Sequence, residues 1–194
     1  VSLSIGVQSF AQQRTSLKVR IDELANRILD SIDKDDLFIK SDKGYISDAD
    51  HQVIKKIIMT NGFPTISMVG KESSHKFWML VQLCDHDPRM QMAVAKHMSY
   101  MIRSGDVVKE DFAMMSDRAR MNKSLPQLYG TQFVISDEGA ILLYQTHDLD
   151  HINARRKAIG LTPFEDYKNR VAPSLASKEQ AVETSDYSDY PNSN

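Results

Sequence analysis

The sequence predicts a mainly α-helical protein, an irregular bundle of about five to seven helices carrying one β-hairpin near residues 129–146. Three observations carry that expectation. Apolar residues recur at helical spacing in successive blocks up to about residue 122. Each block is bounded by cap residues, glycines or prolines. After Pro126 the period changes to alternating or continuously apolar.

Residues 15–33 carry Leu17, Val19, Ile21, Leu24, Ile28, Leu29 and Ile32 between charges, which predicts an amphipathic first helix. A polar connector, residues 35–45, precedes Ser47, which reads as the N-cap of a second helix with Asp48 and Asp50 at its positive end. Asn61-Gly62 closes that helix near Thr60, and Pro64 prevents its continuation. Residues 63–70 read as a loop into a third helix with Phe77, Leu80, Val81 and Cys84 on its apolar stripe. Asp87-Pro88 starts a fourth helix, a cap followed by proline at the first position, and it runs to about Ser104. A fifth spans residues 109–122, with Phe112, Met115 and Ala119 turned inward.

Segments 129–135 and 140–146 flank Ser136-Asp-Glu-Gly139, whose composition is that of a hairpin turn. Asp148 or Asp150 caps a helix through Arg156 that Gly160 ends, and Thr162-Pro163 opens a short final helix to about Val171. Residues 172–194 are rich in Ser, Asp and Glu without apolar period and read as a disordered tail. One globular domain over residues 15–171 accounts for the chain's core.

The chain has 194 residues, 41% of them hydrophobic, and a net charge of -2, so it offers no general attraction for nucleic acid or anionic membrane. No segment is long enough to span a bilayer, so an integral membrane protein is not expected. Residues 1–11 are apolar and end in Ser9-Phe10-Ala11 before the polar Gln12-Gln-Arg14. That pattern reads as the remnant of a secretory signal and predicts export to the periplasm or medium. Cys84 is the single cysteine, which excludes an intramolecular disulfide and reads as a small buried apolar side chain. The ten methionines all lie between Met59 and Met121, which fits irregular helical packing better than a pliable groove.

The densest polar stretch is Gln127-Leu-Tyr-Gly-Thr-Gln132. Gln127, Tyr129, Thr131 and Gln132 surround one glycine between a helix and a hairpin, and they suit either a ligand site or a network that satisfies buried backbone. Asp117-Arg118 and Arg155-Arg156 are adjacent helical pairs, so one member of each is expected inside and the other in solvent. An inward arginine needs an anionic ligand or a carboxylate, and an Asp117 pair with Arg155 or Arg156 would clamp the hairpin. Trp78 walls a pocket or fills the core. Asp85-His86-Asp87 and His147-Asp-Leu-Asp-His151 contain metal-ligand types. Capping and solvated surface explain both better, so no metal is expected and His86, His147 and His151 stay weak candidates.

Gly62-Phe-Pro-Thr65, Val69-Gly70, Phe77-Trp78 with Leu80-Val81-Gln82, Asp85 with Asp87-Pro88 and Gln91, Asp117-Arg118, Gln127-Leu-Tyr-Gly-Thr-Gln132 and Arg155-Arg156 with Gly160-Leu161 occur in that order. In this order they resemble the signature of a widespread bacterial domain family without an established function, over residues 62–167. The resemblance implies a helical domain with little strand, adds Gln82 and Gln91 to the candidate binding residues, and supplies no reaction or cofactor. The family pattern has histidine where this chain has Leu83, so any role of that histidine is lost here.

Two functions are expected from these residues. One is an exported hydrolase or transferase acting on a small polar or envelope-derived substrate, with Asp85 or Asp117 as acid or base and Arg118, Gln127, Tyr129 and Gln132 positioning it. The other is a non-catalytic binding or interaction module. The cofactor and the oligomeric state are not legible.

Overall fold

The computed structural model describes residues 2–30, 32, 46–136 and 140–184, with backbone alone for 1 stretch at each end, residues 2–9 and 176–184, and for residue 174. Eight α-helices and one antiparallel hairpin occur among the described residues, which is the mainly α fold with a hairpin that the sequence predicts. The connector 35–45, the turn 137–139 and the last ten residues of the expected tail lie outside the described residues.

Helix α1, Ser2–Leu29, begins well before residue 15, so the stretch read as a signal remnant is helical and continuous with the amphipathic part. Its buried side chains are Ile21, Leu24, Ala25 and Ile28, the 3.6-residue stripe that the sequence shows. Helix α2, Asp48–Asn61, starts at Ser47, whose hydroxyl accepts from Asp50 N, and ends at Gly62 with φ 72°. A one-turn helix α3, Ile66–Val69, occupies the segment expected as loop, and α4 follows at Lys71–Gln82.

Asp87 caps α5, Pro88–Met101, by accepting from Met90 N. Helix α6, Lys109–Met121, packs against both α4 and α5 and is buried on nearly every side. Strands β1, Phe133–Ile135, and β2, Ile141–Leu143, pair Val134 with Leu142 and are shorter than expected. A 3-10 turn, Leu149–His151, precedes α7, Ile152–Ala158. Helix α8, Phe164–Thr184, continues past Val171 and through Pro173 where a disordered tail was expected, and Leu175 packs inward from it.

The apolar interior has two parts. A large cluster joins α1, α2, α4, α5 and α6 through Ile21, Ile54, Phe77, Trp78, Leu80, Val94, Met98 and Met115. A smaller one joins β1, α7 and α8 through Phe133, Ile152, Phe164, Tyr167 and Val171. Residues 127–132 run between α6 and the hairpin.

Candidate functional site

The loop 127–132 is held from two sides. Its backbone N–H groups of Leu128, Tyr129 and Thr131 donate to Asp117 on α6 at 2.7 to 3.1 Å, and the Thr131 hydroxyl donates to the same carboxylate at 2.9 Å. Its carbonyls receive the arginines of α7: Arg155 Nε donates to Leu128 O at 2.8 Å and Arg156 Nη1 to Tyr129 O at 2.6 Å. Tyr167 donates its hydroxyl to Thr131 O. Gln127 closes the loop on itself, since its Oε1 accepts from Gln132 N and its Nε2 donates to Gln132 O and Tyr144 O. Gly130 takes φ 72°, and a Cβ there would stand 2.7 Å from Ile152 and from Phe164, so only glycine fits.

This arrangement corrects several expectations. Asp117 and Arg118 are both inside, at 0% and 1% exposure, because α6 is packed on several sides and leaves neither a solvent face. Asp117 does not pair with Arg155 or Arg156; it takes the loop's donors while the arginines take its acceptors, which satisfies buried backbone from both ends. Burial pushes the Asp117 carboxyl upward while the loop N–H groups pull it down. Asp117 thus has no exposed surface, and its oxygens are occupied by the loop's donors. Gln127, Thr131 and Gln132 are spent on the same network, and Tyr129 lies half-buried, edge-on to Phe112. Arg155 also reaches His147 O and Asp148 O, and Arg156 donates to Thr162 O and lies over the Tyr167 ring.

A second polar cluster sits where α4 ends. Arg118 donates from Nε and Nη2 to the two oxygens of Asp85, both at 2.8 Å, and from Nη1 to Gln132 Oε1. That two-pronged pair joins the α4–α5 turn to α6 and the loop, and only Asp85 is partly open to solvent. Gln91, fully buried, donates to the carbonyls of Val81 and Gln82 at the end of α4, where helical partners run out. Asn122 Nδ2 donates to Asp85 Oδ1 at 2.7 Å and to Gln91 Oε1 at 2.9 Å. Those two acceptors fix the amide orientation and leave Asn122 Oδ1 buried without a donor. Gln82 is fully buried, Trp78 is core at 2% exposure, and Leu83 is buried beside them at the end of α4.

Beside Asp85, exposed His86 meets buried His51 edge-on at 4.3 Å, and His51 Nε2 lies 3.2 Å from Asp87 Oδ2 without hydrogen-bond alignment. Lys55 also reaches Asp87. Desolvation, with His86 second, holds the His51 imidazole below its ordinary pKa. No group of three metal-ligating side chains is placed to hold an ion among the described residues. His147 and His151 are exposed, and His147 lies before the 3-10 turn that His151 ends, so they share no helical face; His151 pairs with Asp148 instead. Cys84 donates to Leu80 O, and burial pushes its thiol far up, away from thiolate chemistry.

Sequence reasoning missed three side chains that the fold singles out. His51 carries no local signal. His75 lies one turn before Trp78 on α4 and stacks on its ring, with Nδ1 2.8 Å from the buried Asp111 of α6. Only the seven-residue spacing of Asp111 and Arg118, which puts both on one face of α6, hinted at a second inward charge.

A concave surface formed by the hairpin and α8 is apolar. A groove of about 600 Å³ runs between the hairpin and α8, lined by Phe133, Ile141, Leu142, Leu143, Leu149 and Phe164, with Ala172 and Leu175 at one end and Glu165 and Lys168 along α8. Leu142 and Leu149 are 52% and 50% exposed there.

Among known proteins, the model of a family of unknown function, DUF6624, matches residues 33–178. No curated protein and no solved structure matches the chain.

Proposed function

The chain belongs to the DUF6624 family of unknown function, and we propose that it is a binding module that takes an extended apolar segment of a partner protein into the groove between β2 and α8. The observation that carries this reading is the groove itself: its volume of about 600 Å³ is that of a ligand site, and its walls are apolar while half-exposed leucines stand at its mouth. A strand forms one wall and belongs to a sheet of two, so a segment laid along β2 gains main-chain hydrogen bonds and drops alternate side chains into the groove. Glu165 and Lys168, one turn apart on α8, offer one charge of each sign to set its direction.

Fluorescence anisotropy of a labelled heptapeptide with alternating valine and threonine tests the reading. Leu142→Lys and Leu149→Lys change half-exposed side chains, so the fold is expected to survive. Each should weaken binding by about tenfold or more, the equivalent of one leucine burial. Equal binding by all three proteins, or none by the parent, overturns it.

A second reading rests on Asn122 Oδ1, buried without a donor beside the open edge of Asp85. An unmet acceptor of this kind costs about 1–3 kcal/mol and favours a small polar ligand that donates there, an amine or a hydroxyl. Saturation-transfer NMR with a panel of amino sugars and polyols tests it, with loss of signal in Asn122→Leu as the supporting result. Export belongs to the same proposal, on the pattern of residues 1–11. N-terminal sequencing of protein recovered from the periplasm checks it, cleavage after Ala11 being the supporting result.

A further inference from the structure

On α4, His75 is held by two neighbours from different directions. Asp111 of α6, 5% exposed, meets Nδ1 at 2.8 Å, and the Trp78 ring lies parallel beneath the imidazole, 5.0 Å between centroids and 20° between planes. The side chain is nonetheless 45% exposed. With Nδ1 turned to the carboxylate, Nε2 is the atom left to face outward, and the carboxylate fixes which nitrogen carries the proton in the neutral ring. Lys71, one turn earlier on the same helix, lies within electrostatic reach of both His75 and Asp111. A buried carboxylate that orients an accessible imidazole, beside an ammonium, is the arrangement of a nucleophile rather than of a packed core histidine.

We propose that His75 Nε2 is a phosphoryl-acceptor site, modified by a small acyl-phosphate donor. The Nε2 lone pair attacks phosphorus and an N–P bond forms. The P–O bond to the acyl oxygen breaks, and the carboxylate leaves with that electron pair. The Nδ1 proton stays on the ring, shared with Asp111, which offsets the positive charge the imidazole acquires, while the Lys71 ammonium offsets charge on the phosphoryl oxygens. The hydrogen bond to Asp111 raises the His75 pKa above its ordinary value, against desolvation and Lys71. Only the neutral ring attacks, so the rate rises with pH through that raised value. Asp111 on α6 and Lys71 on α4 are the charged groups that set it.

The test treats the full chain with acetyl phosphate and follows the product by 31P NMR and peptide mass spectrometry at neutral pH. The expected product is one acid-labile, base-stable phosphoryl group on His75, absent in His75→Gln and formed at least tenfold more slowly in Asp111→Asn. His151 supplies an internal comparison that needs no variant, since it is more exposed than His75 and pairs with Asp148 through the same nitrogen, but lacks the buried carboxylate and the stacked indole. Preferential labelling of His75 supports the proposal even if Asp111→Asn fails to fold. No labelling, or labelling of His75 no faster than His151, overturns it.

Discussion

An Asp117 carboxylate that accepts from three backbone N–H groups and a threonine hydroxyl has its lone pairs committed to the chain that surrounds it. Replacing it with alanine strands those donors in a dry interior, and each costs about 1–3 kcal/mol. Asp117→Ala is therefore expected to lose at least about 3 kcal/mol in urea unfolding or not to fold at all, and a loss below about 1 kcal/mol contradicts the network. His75 and His51 make opposite pH predictions. His75 has a raised pKa, so its contribution to stability is full below the ordinary histidine value of 6.5 and is lost as pH rises through the folded-state value. His51 has a lowered pKa, so its contribution is full above 6.5 and is lost as pH falls through the folded-state value. Stability profiles from about pH 5 to pH 8 should flatten on the alkaline side in His75→Gln and on the acid side in His51→Gln, and unchanged slopes refute the assignment.

Local signals in the sequence were good at placing element ends and poor at pairing them. Ser47, Asp87 and Gly62 terminate helices as read, because a cap involves only residues one turn away. The Asp85–Arg118 pair joins residues 33 apart, and only packing of α4 and α5 on α6 brings them together. Strand length was overread for a physical reason: residues 129–132 alternate like a strand, but Asp117 and Arg156 take the backbone groups that a partner strand would need. Helix α8 runs beyond the end read near Val171, where the sequence turns rich in Ser, Asp and Glu without apolar period, and Leu175 reaches the smaller apolar cluster from that extension. An interior proline costs a helix about 3 kcal/mol through a lost hydrogen bond and a clash. Pro173→Ala should therefore slow amide exchange in residues 169–175 markedly, and unchanged exchange there contradicts a continuous α8.

At the scale of the molecule, a polar layer separates the large helical cluster from the hairpin cluster, and the groove is lined in part by Phe133 and Phe164 of the latter. The sequence made that layer legible as a dense polar motif; it could not reveal that its side chains answer one another. The groove proposed to take a partner segment was illegible because Phe133, Leu142, Leu149, Phe164 and Leu175 come from four elements and read singly as ordinary core. Hydrogen exchange followed by mass spectrometry on the full chain, with and without saturating alternating valine–threonine peptide, tests the central claim directly. New protection is expected only at residues 133–136, 141–143 and 164–175, with the loop 127–132 already slow in the free protein. Protection that appears instead at residues 127–132 and around Asp85, leaving the groove unchanged, would contradict it.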